Sequence, residues 1–351
     1  MGAAEVQALQ ALSRDGAATE IMANADGSVY VERQGGRLEK LPLAVSEDDK
    51  IRFLEFLIGA KADLGPARPY ADLTAQDGSR VHVLAPPLLG RGGLCITVRR
   101  RPERRPSLDD LIRLGALSPA AAGFLRYAVE SRRNVLVAGG TSSGKTTLMN
   151  ALASFIPPQE RILVLEDTPE IVLPQPHALY LRTRMRDAGG LADVTLRDLL
   201  KNSLRMRPDR ILVGECRGPE AFDFLQAMSV GHGGALCTLH AGSCRETLLR
   251  LETLALTAGL DIPLRAMRAT VAGALDLIVV AARLADGSRR IVQIAEVTGM
   301  ELETVSLATL FEADPKALRG GGFALRPTGA VPRFYEDVRR RGAEPPLEFF
   351  R

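Results

Sequence analysis

Eight consecutive residues, Gly139 Gly140 Thr141 Ser142 Ser143 Gly144 Lys145 Thr146, have the types and spacing GxxxxGK[ST] of a phosphate cradle. Glycine lets backbone N–H groups turn inward on phosphate oxygens, and a helix that follows points its positive end at the same place. In such a cradle Gly140, Thr141, Ser142, Ser143, Gly144 and Thr147 wrap the phosphates. Lys145 neutralises the β and γ oxygens, and the Thr146 hydroxyl is offered to Mg²⁺. The plain alternative is a chance glycine-rich turn before a helix. It is weakened by the apolar strand-like run 134–138 ahead of the loop and the helical run starting near Thr146.

Hydrolysis of a bound triphosphate needs a carboxylate that orients or activates the attacking water, at the end of a neighbouring strand. Glu215 ends the apolar run 210–213 after Gly214. Many phosphate-loop enzymes carry a metal-directed Asp where Gly214 stands, so a second acidic source is required. Glu166 and Asp167, closing the run 161–165, supply it. The bland reading of these acids is a set of solvated strand ends.

The segment 231–240 puts His232 in a glycine turn and His240 at a strand end. An imidazole there can sense or stabilise a γ-phosphate; the competing role is a hydrogen-bonded structural histidine. His82 and His177 have no such context and are read as structural or surface residues.

These groups must be held by alternating strands and helices. Strand-like runs recur at 134–138, 161–165, 210–213, 235–239, 277–281 and 290–297, with helical stretches between the earlier ones, which predicts a sheet with crossover helices. Ahead of them, 20–98 alternates short β-like runs, such as 28–33 and 80–84, with turns at Asp26 Gly27, Gly35 Gly36 and Asp77 Gly78; one helix interrupts at about 47–60. Between the two patterns lies Arg99 Arg100 Arg101 Pro102 Glu103 Arg104 Arg105 Pro106, where prolines and arginines stop regular structure. The expected division is therefore a smaller α+β domain over 1–105 and an α/β domain over 106–351, opened by helices at 108–114 and 119–131. The tail from Gly320, rich in Gly and Pro, is expected to be loosely ordered.

The net charge of +3 is too small for wholesale nucleic-acid binding, so none is expected. Cys95, Cys216, Cys237 and Cys244 form no CxxC pair and read as thiols of a reducing compartment, without zinc. The N-terminus lacks a basic start and an apolar core, Val6 stands where an N-myristoylation signal needs Ser or Thr, and no continuous apolar run of about 18 residues occurs. The expectation is a cytoplasmic protein that meets a membrane through partners.

Four ordered motifs, GGTSSGKTT, LEDTPE, RPDRILVGE and GHGGALCTLHA, together resemble the secretion and pilus ATPase superfamily of type II and type IV systems. TEIMANADGSVYVER, DGSRVHVLAPP, ITVRR and SLDDLIRLGALS, with the late segments DGSRRIVQIAEVTGMELETVSLATLFE and LRPTGAVPRF, are similar to Tad pilus assembly ATPases. RNVLVAGGTSSGKTTLMNAL is equally similar to conjugal-transfer ATPases. The resemblance implies a RecA-like P-loop NTPase domain behind an N-terminal domain. It implies ATP and Mg²⁺ as ligands and a homohexamer at the inner face of the cytoplasmic membrane, working on a polytopic inner-membrane platform protein. In that ring the nucleotide lies between the two domains, and arginines complete the site across subunits. The candidates are Arg80 and Arg99 in the first domain and Arg182, Arg184 and Arg217 in the second. Each alone is also a plausible surface ion-pair residue. The tetracysteine module of type II secretion ATPases has no counterpart here. Cys216 replaces an aliphatic residue common in relatives, and the chain starts almost directly at the first-domain strands, where relatives often carry a helical bundle.

Three functions compete on this reading. A motor that turns hydrolysis into interdomain movement is favoured, with a pilus system ahead of conjugation. A nucleotide-binding regulatory module without turnover is disfavoured by the joint presence of Lys145 and Glu215. A DNA-handling conjugation protein would need a basic groove interleaved with aromatics, and none is apparent.

Overall fold

In a computed structural model the chain folds into two units, Met1–Arg104 and Arg105–Arg351. It describes residues 2–33, 36–62, 64–66, 68–90, 92–101, 105–184, 192–229, 233–314, 322–340 and 342–351. His232 lies outside the described residues.

In the first unit a helix α1 (Gly2–Arg14) precedes strands β1 (Ala18–Ala23), β2 (Ser28–Arg33) and β3 (Leu38–Ala44). Helix α2 (Glu47–Ile58) and strands β4 (Tyr70–Thr74), β5 (Arg80–Leu84) and β6 (Cys95–Arg99) follow. The strands form one antiparallel sheet in the order β3-β2-β1-β6-β5-β4. Its central strands alternate buried and half-exposed positions, as in β5 with Val81 and Val83 buried, so one face carries a core and the other stays open. Helix α2 starts where Ser46 and Asp49 cap each other and stops at Gly59 in the left-handed region. Helix α1 was not anticipated, although Asp15 Gly16 marks the turn that ends it; its polar-rich face hides the short Val6 and Leu9 stripe that enters the core.

In the second unit, helices α3 (Leu108–Arg113) and α4 (Pro119–Glu130) precede strand β7 (Val135–Gly139), helix α5 (Lys145–Ala153), and strands β8 (Ile162–Glu166) and β9 (Ala178–Arg182). Next come α6 (Leu196–Ser203), β10 (Arg210–Val213), α7 (Glu220–Ser229), β11 (Leu236–Leu239), α8 (Cys244–Leu256) and α9 (Leu264–Ala274). The unit closes with β12 (Leu277–Arg283), β13 (Arg289–Glu301), β14 (Thr304–Ala313), β15 (Leu325–Pro327) and α10 (Phe334–Arg340).

Its sheet runs β15-β14-β13-β12-β7-β11-β10-β8-β9, parallel from β12 to β9 and antiparallel from β12 to β15. The parallel strands β7, β8, β10 and β11 are buried along their whole length, as strands covered on both faces must be. Alternate residues of β7 enter two different cores. Val135 and Val137 pack with Leu148 and Met149 of α5, whereas Leu136 and Ala138 pack with Leu225, Leu248 and Met267 of the other helical layer.

The described part of the tail, 322–340 and 342–351, is packed rather than loose, and Gly320 lies outside the described residues. Phe334, Tyr335 and Phe350 are buried, and Phe124 of α4 has Phe311, Phe334 and Phe350 within 5.3 to 6.2 Å between ring centres. Buried aromatic area outweighs the Gly and Pro content of the flanking turns.

Candidate active site

The loop after β7 has the shape its sequence predicts, for reasons of space. A β-carbon on Gly139 would overlap the Ala281 carbonyl oxygen of β12 and the Ser143 hydroxyl. Gly144, the N-cap of α5, has φ of 96°, and Ser142 has φ of 56°. Both therefore turn left-handed and bring successive N–H groups to one side. Ser143 Oγ donates to Gly140 O at 2.9 Å and closes the turn. Gly140 and Thr141 are exposed at its lip, while Thr146 and Thr147 are half-buried on the first turn of α5. Lys145 is buried, and its Nζ donates to Gly139 O at 3.0 Å and Gly140 O at 2.9 Å.

Lys145 Nζ also lies 3.5 Å from His240 Nε2, just past the end of β11, and that nitrogen is 2.7 Å from Glu215 Oε1. The other Glu215 oxygen, Oε2, accepts from Arg217 Nε at 2.9 Å and Nη2 at 2.6 Å. The phosphate loop and the strand-end carboxylate thus belong to one cluster. Oε1 is buried without a well-directed hydrogen bond among the described residues, so its approach to His240 is close but poorly aligned. Burial pushes the His240 pKa down, Glu215 opposes, and Lys145 and Arg217 add to the depression. The direction favours the neutral ring, although the side chain is 44% exposed. Through Nε2 a neutral imidazole can either accept from Lys145 or donate to Glu215, and a charged ligand can tip that choice.

Arg217 is pulled both ways: partial burial disfavours its charge, but the Glu215 hydrogen bond and the fields of Glu215, Asp167 and Glu170 raise its pKa. Asp167 itself is exposed. Glu166 is buried at the end of β8, where Oε1 accepts the backbone N–H groups of Glu170 at 2.8 Å and Ile171 at 2.9 Å. Burial raises its pKa to about 7 despite those two donors. A β-carbon on Gly214 would stand 3.0 Å from Glu166 Cγ, so the Glu166 side chain fills the space beside that glycine.

Two supporting residues escaped the sequence reading. Thr238 Oγ1 donates to Gly214 O at 2.6 Å and Cys216 N donates to Thr238 O at 3.0 Å, which pins the ends of β10 and β11 together. Glu220 Oε1 accepts from Arg217 N at 2.6 Å and Gly218 N at 2.7 Å, closing the turn after Glu215. The only sequence signal for Glu220 was its place in the first turn of α7, where a carboxylate meets free N–H groups.

Of the other arginines, Arg182 pairs in register with Glu166 and is exposed. Arg184 is exposed as well, and its Nη2 donates to Ala192 O at 3.1 Å within its own loop; the structure does not bring it to Glu215. In the first unit Arg80 and Arg99 are cross-strand partners on the open face of the sheet. With Glu20, Asp72, His82 and Thr97 they line a shallow depression of about 250 Å³. His82 Nδ1 is 3.0 Å from Asp72 Oδ1, and His177 Nε2 is 2.7 Å from Arg161 Nη1.

Magnesium favours hard oxygen donors, and the Thr146 hydroxyl with the buried Glu166 carboxyl supplies that type. A divalent cation would also favour the ionised Glu166 that burial opposes. The donor chemistry fits the ion.

Residues 73–307 match the family described as "Type II/IV secretion system protein". A protein of Mycobacterium tuberculosis strain H37Rv, provisionally named as a conjugal transfer protein, is 36% identical over 314 residues, covering 86% of this chain and 87% of the relative. The type IV secretion system protein PtlH homolog of Bordetella bronchiseptica is 37% identical over 300 residues, covering 77% of this chain and 87% of its own. Among solved structures, the Legionella pneumophila ATPase DotB superposes with a TM-score of 0.60 at 21% identity, over 82% of this chain and 78% of that one, a likeness of fold. An N-terminal α+β unit followed by a RecA-like α/β unit is the architecture DotB shares with this chain, and the chain belongs to the type II/IV secretion system protein family.

Proposed function

We propose that the protein is a Mg²⁺-dependent ATPase that works as a hexameric motor of an envelope-spanning secretion or pilus system. The observation that carries this is the run from Lys145 Nζ through His240 Nε2, at 3.5 Å, to Glu215 Oε1, at 2.7 Å, which joins a phosphate cradle to a strand-end carboxylate. A non-hydrolysing nucleotide sensor has no need of that carboxylate.

The chemistry follows from the groups present. An incoming triphosphate offers Lys145 β and γ oxygens in exchange for the two loop carbonyls it now contacts. The γ-phosphate then competes for Lys145 with His240, which frees the imidazole to donate toward the phosphate or Glu215. Glu215 orients the water and takes its proton as the water oxygen bonds to the γ phosphorus and the bond to the β–γ bridging oxygen breaks, leaving ADP and phosphate. Thr146 and Glu166, with Asp167 at its rim, are the residues that would hold magnesium. When bound, the ion neutralises charge on the β and γ oxygens. Arg217 balances Glu215, and Arg80 and Arg99 of residues 1–105 are assigned to a neighbour's nucleotide, so that the N-terminal domain contributes to the cleft and the ring interface.

The named relatives favour a type IV secretion or conjugal-transfer machine. Assembly of a Tad-type pilus is the second reading, supported by the segments TEIMANADGSVYVER and LRPTGAVPRF. Either machine implies a polytopic inner-membrane platform as partner and a peripheral place at the cytoplasmic face. No described helix is long and apolar enough to cross a membrane. The test is phosphate release from the purified chain with ATP and Mg²⁺, together with light scattering. Turnover that Lys145→Ala removes and a mass of six subunits with nucleotide support the proposal. Absence of turnover, or a monomer at micromolar protein with an ATP analogue, contradicts it. Adjacent pilin and prepilin peptidase genes would favour the pilus, and relaxase and coupling-protein genes conjugation.

A further inference from the structure

The phosphate loop has two flanks. On the side of β11 and β10 lie Lys145, His240 and Glu215, which is where a γ-phosphate must go. On the other side β12 pairs with β7 up to Ala281 opposite Gly139, then runs on past the end of that strand into a hairpin with β13. There Arg283 and Arg289 are cross-strand partners. Directly paired residues point to the same face, and Ala281 and Ile291, two pairs further in and so on that same face, pack in the core that contains Leu148 and Met149 of α5. The two arginines therefore continue the α5 side of the sheet beyond its edge and over the loop.

Arg289 comes closest. A β-carbon on Gly144 would lie 3.7 Å from Arg289 Cδ and 3.9 Å from its Cβ, an ordinary van der Waals distance. The aliphatic stem thus rests on the glycine that starts α5, on a residue that is itself exposed. A triphosphate lying in the loop with its γ end at Lys145 and Glu215 must send its α-phosphate and adenosine toward this opposite flank.

We propose that Arg289, supported by Arg283, binds the α-phosphate end of the nucleotide held by the same subunit. The inference rests on the reading of the loop as an ATP site and adds a contact that no motif of the sequence marks. A guanidinium is always charged and offers a planar fork of donors suited to phosphate oxygens. A contact at the α-phosphate is made equally by ATP and ADP, so it changes affinity rather than the chemical step.

Titration of the full chain with fluorescent ADP and with a fluorescent non-hydrolysable ATP analogue tests this, alongside turnover at saturating ATP. Arg289→Ser should weaken both ligands by a similar factor, about tenfold, as expected for loss of one charge-assisted contact, with kcat within about twofold of wild type. Arg289→Lys keeps the stem and the charge and should fall between the two, and Arg283→Ser should lose less than Arg289→Ser. Unchanged affinity for both nucleotides in a folded Arg289→Ser protein overturns the proposal. So does weakened binding of the ATP analogue with ADP unaffected, since that places the residue at the γ-phosphate. If the wild-type chain binds neither nucleotide in a Lys145-dependent manner, the reading of the loop itself fails, and this inference with it.

Discussion

Glu166 Cγ stands 3.0 Å from the point where a β-carbon on Gly214 would be, so the glycine before Glu215 and the carboxylate on the neighbouring strand occupy one space between them. Strands β8 and β10 pair in register, Leu165 opposite Val213, which sets the two residues side by side just past the last pair. An Asp at position 214 would crowd the Glu166 side chain, which must shift to admit it.

Gly214→Asp should therefore be destabilised by about 1–3 kcal/mol through crowding, and the second carboxylate beside a buried one should lower ATP turnover as well. Thermal unfolding and phosphate release measure both effects. Replacing Glu166 by Gly in the same chain should return part of the stability. A Gly214→Asp protein that melts with wild type contradicts the packing relationship.

Burial sets a pH dependence. The Glu166 pKa rises from 4.5 to about 7 in the folded chain, mainly through desolvation, against the two backbone N–H groups that favour the anion. Between these values the folded protein keeps a proton that the unfolded chain has released, so stability from this group falls as pH rises through the window and is flat above about 7. The whole effect is at most on the order of 3 kcal/mol. Glu166→Gln removes the titration, so the difference in Tm between the variant and wild type should widen in favour of the variant as pH rises toward 7. Parallel melting curves across that range would show that Glu166 titrates as an ordinary carboxylate.

Arg99 ends β6 on the open sheet face, 3.9 Å from Glu20 and in register with Arg80. If it serves a neighbour's nucleotide, Arg99→Ala should lose about a thousandfold in rate while still binding ATP, as charge on the transferring phosphoryl loses its partner. Co-assembly with Lys145→Ala should then restore part of the activity, because some interfaces combine an intact Lys145 with an intact Arg99. Background activity in mixtures with verified subunit exchange would remove Arg99 from the site.

What the sequence made legible was local. The phosphate loop, Glu215 and Glu166 each sit at a strand end marked by a short apolar run, and their residue types carry the chemistry. Residues whose role depends on distant partners were not legible. Glu220 matters because the turn at Arg217 and Gly218 leaves its N–H groups free to be capped, and Thr238 because β10 and β11 are neighbours in the sheet. Arg289 reaches Gly144 only because β12 inserts beside β7. The tail misled because glycine and proline count toward disorder in composition, whereas Phe334, Tyr335 and Phe350 decide its fate by packing on Phe124. Arg184 places one donor on Ala192 O within this subunit, and a role across the ring depends on a neighbouring copy in the same way.

The central claim is that Glu215 acts on water at a phosphate held by Lys145. Glu215→Gln preserves the side chain's shape and its ability to accept from Arg217 but removes the base, so ATP binding should stay near wild type while phosphate release falls to background. Measuring both on the same preparation decides the matter. Retained binding with no turnover is the predicted result. Wild-type turnover in Glu215→Gln, or loss of ATP affinity as complete as in Lys145→Ala, would contradict the account.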